Sequence, residues 1–175
     1  MIKLKTFVLI AILLLLAIGV EAQTKQAKTA RDFFMLVPSE FYTFQCCSDN
    51  KKEYLKQYVS SENINFLEGT DEGVNEFTLA VYGRPNGTYL IGLRSQAEHW
   101  QDYYFLDYKN GKLVNISKTA VPQYSTDNIY EFAQDGKTIH VFRKKYDSPT
   151  KEISADYGVS KGRKLYDLVW SNGKF

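Results

Sequence analysis

The sequence predicts an α+β protein, mostly antiparallel β-sheet, in which two N-terminal helices precede seven or eight short strands linked by hairpins. The main observation is a stretch, 104–113, that is echoed at the C-terminus by 166–175. When the two Asn-Gly-Lys triplets are aligned, the matches (Tyr104 with Tyr166 first) recur at every second residue, which is the side-chain period of a strand. Asn-Gly readily takes the positive φ values of a type I′ turn, so each copy is expected to enter a tight hairpin.

Two helices are expected before the strands begin. Thr29 is a suitable N-cap and Asp32 follows at the capping-box position, which predicts a helix over 30–36. Tyrosine, leucine and valine at helical spacing predict a second helix over 49–59, with Ser48 as its N-cap.

From residue 63 onward the pattern changes to strands in two units, 63–120 and 129–175, separated by a linker at 123–128. In the first unit a polar crossing at 95–102 joins two hairpins, and the predicted strands are 64–67, 76–82, 88–94, 103–108 and 112–116. In the second unit a polar insertion spans 144–161, and the predicted strands are 129–132, 137–143 and 163–170. We expect one continuous curved sheet or two half-sheets packed together, with the helices covering one face.

The first residues read as an export signal. Lys3 and Lys5 precede an apolar run over 7–20, which is shorter than the roughly 20 residues that span a bilayer. The run ends in Val-Glu-Ala, so we predict a signal peptide over 1–22, cut near Ala22. Residues 23–175 would then form a single β-rich domain in the periplasm or outside the cell, the alternative being an uncleaved membrane anchor.

Charge and motif content exclude several function classes. The chain has 22 basic and 20 acidic residues, so it lacks the charge excess expected of a nucleic-acid-binding protein. Contact with the membrane is expected only during export. The two histidines, His99 and His140, have no partner at metal-ligand spacing, and no phosphate loop or dinucleotide fingerprint is present. The sequence therefore predicts no metal and no cofactor.

The two cysteines, Cys46 and Cys47, are adjacent. Neighbouring cysteines form a disulfide only with a strained ring, so two small, half-buried side chains near a helix are one interpretation. A vicinal disulfide or a redox role in an oxidising compartment is the other.

One loop, 95–103, is the candidate binding site. It gathers His99, Trp100, Asp102 and Tyr103 without aliphatic residues of comparable size. Amphipathic aromatic side chains of this kind are enriched at binding surfaces, where they stack and donate hydrogen bonds. The alternative is that Trp100 folds back and plugs the end of the sheet.

Basic residues stand on both sides of the second polar insertion. A hairpin would bring them together into a patch formed by Arg143, Lys144, Lys145, Lys161, Arg163 and Lys164. Lysines on edge strands commonly discourage pairing between sheets. The alternative is contact with an anionic partner, such as envelope polysaccharide or lipid headgroups.

Two segments carry a resemblance to known proteins. The first is Phe-Phe-x-x-x-Pro-x-Glu-Phe over 33–41, and the second is Tyr-x-Leu-x-Trp-x-Asn-Gly-Lys-Phe over 166–175. With a central hairpin ending in Tyr-x-Asn-Gly-Lys, they make the chain resemble secreted or periplasmic β-rich proteins of Gram-negative bacteria, notably of Bacteroidetes. The resemblance implies a compartment and a fold, and it carries no catalytic residue.

The sequence thus favours an exported, non-enzymatic binding module that recognises a protein or a glycan through aromatic and polar loops. One alternative is an envelope hydrolase whose carboxylates converge only in three dimensions. Another is an inhibitor or immunity protein directed at a secreted enzyme, which is a special case of the binding module.

Overall fold

The computed structural model describes residues 29–43, 50–71, 73–151 and 158–175. The predicted signal peptide and the Cys46–Cys47 pair lie outside these ranges. The described residues form an α+β fold dominated by antiparallel strands, which confirms the predicted fold class. None of the helices in these ranges is long and apolar enough to cross a bilayer.

The helices are short and the strands belong to two sheets. The helical segments are α1 (Ala30–Leu36), a 3₁₀ turn (Ser39–Phe41), α2 (Lys51–Tyr58) and α3 (Ser117–Ala120). Sheet 1 has six strands in chain order: β1 (Val59–Asn63), β2 (Phe66–Asp71), β3 (Asn75–Gly83), β4 (Tyr89–Ala97), β5 (Trp100–Lys109) and β6 (Lys112–Asn115). Sheet 2 has three: β7 (Asn128–Phe132), β8 (Thr138–Tyr146) and β9 (Val159–Val169).

The first helix was predicted correctly because its signals are local. Thr29 Oγ1 accepts a hydrogen bond from the Asp32 N–H, and the Asp32 carboxylate accepts one from the Thr29 N–H, both at 3.1 Å. The second helix starts later than predicted. Its N-cap is Asn50, whose Oδ1 accepts from the Glu53 N–H at 3.2 Å, whereas the predicted cap Ser48 lies outside the described residues.

The predicted strand over 64–67 is wrong at its start, because Ile64 and Asn65 form the turn between β1 and β2. The side chain of Asn63 makes this turn by accepting a hydrogen bond from the Asn65 N–H at 2.9 Å. Such local bonds by asparagine compete with strand pairing.

The predicted polar crossing over 95–102 is also wrong. β4 continues to Ala97, β5 begins at Trp100, and these two residues pair directly across a two-residue turn. Glu98 takes the left-handed conformation, with φ of 50°, that a tight hairpin requires. The turn contains no glycine, asparagine or aspartate, so it gave no sequence signal.

The strands of the second half also reach further than expected. β8 runs to Tyr146 and β9 begins at Val159, so both enter the predicted insertion over 144–161, of which 152–157 lie outside the described residues. The two Asn-Gly turns are confirmed, since Asn110 and Asn172 have φ of 53° and 51°.

Both faces of sheet 1 are covered. On one face the predicted inward side chains of β3, such as Phe77 and Leu79, pack with Phe33 and Phe34 of α1. On the other face Phe66, Tyr82 and Phe105 pack with Tyr130 and Ile139 of sheet 2. Of the two predicted arrangements, the packed pair of sheets is therefore confirmed.

The two sheets meet closely at Gly92. A Cβ atom there would lie 2.5 Å from Cε1 of Phe132, so glycine makes room for the Phe132 ring on the face of sheet 1. At the opposite end, Trp170 Nε1 donates to the Gly83 carbonyl at 3.0 Å. These contacts fix how sheet 2 lies on sheet 1.

Candidate binding cleft

The face of sheet 1 that meets sheet 2 changes character along the strands. One row of cross-strand partners consists of Phe66, Ala80, Gly92 and Phe105, on β2 to β5. This row is apolar and belongs to the core between the sheets.

Two residues further along each strand, on the same face, the side chains are polar. The next row holds, in strand order, Glu68, Thr78, Arg94 and Tyr103, and the row after it holds Glu76, Gln96 and Gln101. Most of these polar side chains line a cleft of about 600 Å³ between the two sheets.

Sheet 2 supplies the opposite wall. The residues that line it include Glu131, His140 and Lys161, and a consecutive run of β7 and its following turn, residues 129–134, also borders the space. We call this space, bounded by the polar rows of sheet 1 and by β7 with its neighbours, the intersheet cleft.

Arg94 is the central charge on the sheet 1 wall. Its Nη2 lies 2.8 Å from Oε2 of Glu76 and also donates to Oε1 of Gln96. The Arg94 side chain is 24% exposed, so solvent only partly screens this ion pair. Beside it, Thr78 Oγ1 donates to Oε1 of Glu68 at 3.3 Å.

Tyr103 forms the floor next to Arg94. It is 6% exposed, and its hydroxyl donates to Oε1 of Gln101 at 2.6 Å. Burial raises the pKa of Tyr103, while Arg94 and the main-chain N–H of Tyr130 act in the opposite direction. The phenol is therefore a neutral hydrogen-bonding group at physiological pH.

The sheet 2 wall carries an ion pair and a histidine–carboxylate contact of its own. Lys161 Nζ lies 2.9 Å from Oε1 of Glu131, and His140 Nδ1 lies 2.6 Å from Oδ1 of Asp167. Hydrogen bonds from Lys164 and from His140 hold the pKa of Asp167 below its ordinary value. On each wall, charged groups are thus paired with neighbours on the same sheet.

The sequence-predicted binding loop is split by the strand geometry. Trp100 is 54% exposed, so the alternative in which it plugs the end of the sheet is wrong. Tyr103 lines the intersheet cleft, whereas Asp102 precedes it on β5 and faces the other side, where its carboxylate adds to the burial that raises the pKa of Tyr104. His99 lies in the turn, near the main chain of Gly158.

The predicted basic patch is brought together by the pairing of β8 with β9. Lys144 pairs with Lys161 and Phe142 with Lys164 across the two strands. Lys161 and Lys164 are each ion-paired, to Glu131 and Asp167. Three further members of the patch are exposed: Arg143, Lys145 and Arg163.

Lys144 differs from the rest of the patch because it is half-buried. Burial lowers its pKa, and the nearby carboxylates of Asp102 and Asp127 act in the opposite direction. Because Lys161 and Lys164 are paired with carboxylates, the patch carries less unpaired positive charge than its six basic residues suggest.

Sequence reasoning missed the polar rows of the cleft, formed by Glu68, Thr78, Arg94, Gln96 and Gln101. A signal existed, because each polar residue of the first row on β2 to β4 follows an apolar residue that packs on the opposite face of the sheet. That pattern is usually the mark of a solvent-facing residue. The covering sheet turns it into the wall of a cleft.

Within the ranges that the structure describes, no three His, Cys, Asp or Glu side chains are grouped so as to hold a metal ion. Comparison with protein-family models, with curated proteins and with solved structures finds no match to the chain. Function is therefore argued from the intersheet cleft itself.

Proposed function

We propose that this chain is an exported, non-enzymatic binding module that holds a polar segment of a protein or glycan in the intersheet cleft. The supporting observation is the pair of polar rows on sheet 1, which face sheet 2 across about 600 Å³. That volume is within the range of about 300–1,000 Å³ found for ligand sites.

The polar rows are costly for folding alone. Thr78 is 4% exposed and Tyr103 is 6% exposed. Each has a hydrogen-bond partner, Glu68 for Thr78 and Gln101 for Tyr103, but continuing the apolar row would stabilise the junction more. A ligand that needs those donors and acceptors accounts for their presence.

The charges of the cleft favour a ligand that is polar but not strongly charged. Arg94 already faces Glu76, and Lys161 already faces Glu131. A charged ligand would have to compete with these pairs. Neutral donors and acceptors can instead bind the amides of Gln96 and Gln101 without separating any charges.

Export is part of the proposal and rests on the leader over 1–22. A basic n-region and a short apolar run are typical of a secretory signal. Fractionation of cells that express the full chain tests it: a mature protein that begins near Gln23 in the periplasm or medium is expected, and an intact N-terminus in the cytoplasm would contradict it.

The binding function is tested by screening the purified protein on arrays of oligosaccharides and linear peptides, then measuring the affinity for each hit. Gln101→Trp fills the cleft from β5 and is expected to lower affinity at least tenfold. Lys109→Trp makes the same kind of change at the exposed far end of β5 and serves as the control.

The control variant should bind within about twofold of the wild type. No hit on either array, or equal losses for the two tryptophan variants, would contradict binding in the cleft. Far-UV circular dichroism and melting curves of both variants separate loss of binding from loss of fold.

A second candidate, an envelope hydrolase, is favoured by one observation: two carboxylates, Glu68 and Glu131, line the same cleft from opposite sheets. Glycoside hydrolysis commonly uses two carboxylates on opposite sides of the bond. Release of chromophore from a panel of aryl glycosides, abolished separately by Glu68→Gln and Glu131→Gln, would establish this function in place of the first.

A further inference from the structure

β7 is unusual because consecutive residues of this strand, and not alternate ones, line the intersheet cleft. Residues 129–134 all border the space. If side chains alone formed this wall, every second residue would line it, because side chains alternate between faces. Consecutive lining residues indicate that the main-chain edge of β7 faces the cleft. Among the described residues, β7 is an edge strand of sheet 2 and pairs only with β8.

The hydrogen-bond pattern tells which main-chain groups face that edge. The Ala133 N–H donates to the Thr138 carbonyl and the Lys144 N–H donates to the Asp127 carbonyl, both at 2.9 Å. Because main-chain groups alternate sides in an antiparallel strand, the odd-numbered residues face β8. The N–H and C=O groups of Tyr130 and Phe132 therefore face away from β8.

The two ends of this edge are already occupied. At one end the Asn128 N–H donates to the Ser125 carbonyl at 3.2 Å, and at the other the Gln134 carbonyl accepts from Asn63 Nδ2 at 3.0 Å. Both groups belong to even-numbered residues, which confirms the alternation. The open part of the edge lies between them.

Within that open part, Tyr103 faces the Tyr130 N–H. Both main-chain groups of Phe132, which is 6% exposed, have no hydrogen-bond partner within the part of the chain that the structure describes, whereas Tyr130 is fully buried. One donor and one acceptor on the free edge of β7, the N–H and C=O of Phe132, are thus left for a neighbouring strand.

We propose that the cleft binds an extended polypeptide segment that adds to β7 as a fourth strand of sheet 2. This inference rests on the proposed binding function and names its ligand class. Strand addition uses main-chain hydrogen bonds for affinity and side-chain contacts for specificity. Here Phe132 exchanges two hydrogen bonds with one residue of the segment.

The dimensions and the opposite wall suit a peptide better than a glycan. The edge groups of one strand repeat every two residues, about 6.7 Å, which matches a second strand and not a sugar chain. The lining stretch of six residues runs about 20 Å, enough for about six residues of extended peptide. The amides of Gln96 and Gln101 meet its side chains from sheet 1.

Random linear heptapeptides displayed on phage are the probe, selected on wild-type protein and counter-selected on Gln101→Trp. A selected peptide is then resynthesised with an N-methyl group at each position in turn. Methylation is expected to lower affinity at least tenfold at the one position whose amide meets the Phe132 carbonyl and less than twofold at the other positions.

Amide hydrogen exchange of the protein supplies the second readout. The Phe132 N–H is expected to exchange at least tenfold more slowly when the peptide is bound. The Glu131 N–H, which faces β8, is the internal control and should be slow in both states. A uniform effect of N-methylation, or an unchanged Phe132 N–H, would overturn strand addition.

The remaining outcomes separate this inference from the proposed function. Binding of an oligosaccharide that Gln101→Trp abolishes, with an unchanged Phe132 N–H, overturns the peptide and leaves the cleft as a binding site. A dimer in solution with the Phe132 N–H already protected means that a second copy occupies the edge and also overturns it. Absence of any ligand on peptide and oligosaccharide panels removes both proposals.

Discussion

Arg94 and Tyr103 are direct cross-strand partners on β4 and β5, on the face of sheet 1 that borders sheet 2. One row earlier, the corresponding partners are Gly92 and Phe105, which belong to the packed junction of the sheets. The change from packing to hydrogen bonding thus occurs within two residues on each strand. That boundary is where the junction between the sheets ends and the intersheet cleft begins.

The apolar side of this boundary is tested by Gly92→Ala. The added methyl group would lie 2.5 Å from the buried Phe132 ring, so we expect a loss of about 1–3 kcal/mol in the free energy of unfolding. Gly83→Ala is the matched control, because the nearest atom to its Cβ is 4.0 Å away. Urea unfolding of both variants measures the difference.

If Gly83→Ala lost as much free energy of unfolding as Gly92→Ala, the close packing of the sheets would be contradicted. So would a Gly92→Ala variant as stable as the wild type. A double variant with Phe132→Leu gives a further check, since the two changes should couple by more than about 0.5 kcal/mol if they share a contact.

The two tryptophans should respond differently to truncation. Trp100 is 54% exposed, so Trp100→Ala is expected to change the free energy of unfolding by less than about 0.5 kcal/mol. Trp170 packs with Tyr82 and Phe175 and donates to the Gly83 carbonyl, so Trp170→Ala should cost about 2–4 kcal/mol.

Thermal melts of the two tryptophan variants make this comparison, with acrylamide quenching of each single-tryptophan protein as a second readout. Quenching should be stronger when Trp100 is the remaining tryptophan. A large loss of stability in Trp100→Ala would show that Trp100 supports the fold after all.

The buried tyrosines predict alkaline unfolding. Burial raises the pKa of Tyr130 to about 12, against about 10 for an unfolded tyrosine. The folded state therefore favours the neutral phenol. Its contribution to stability is present below about pH 10 and is lost as the pH rises from about 10 to about 12. Urea unfolding at intervals of pH, with absorbance at 295 nm, measures this loss.

Tyr130→Phe tests the assignment of that effect. It removes the hydrogen bonds between the phenol and the main chain of Ser125, at 2.9 and 3.2 Å, and should cost about 1–2 kcal/mol at neutral pH. The fall in stability above pH 10 should become shallower in this variant. If stability fell as steeply above pH 10 in this variant, the pKa of Tyr130 would not differ between the folded and unfolded states.

Local signals explain which parts of the fold were predictable. The capping box at Thr29 and Asp32 and the Asn-Gly turns act over a few residues, so they can be read from the chain directly. The turn at Glu98 could not be predicted, because a glutamate takes positive φ there only under the constraint of two paired strands.

The cleft was less predictable than the fold. Glu68, Thr78, Arg94 and Tyr103 come from four strands and meet only through the register of three pairings. No short stretch of sequence contains that row. The loop that sequence reasoning favoured is a hairpin end, in which strand alternation sends Asp102 and Tyr103 to opposite faces.

The most direct test of the account is to map ligand contacts by NMR with ¹⁵N-labelled protein, using a ligand obtained from the peptide or oligosaccharide arrays. The side-chain amide signals of Gln96 and Gln101 should shift on titration, together with main-chain signals of 129–134. Shifts confined instead to the turn at His99 and Trp100, or to the basic patch of β8 and β9, would contradict binding in the intersheet cleft.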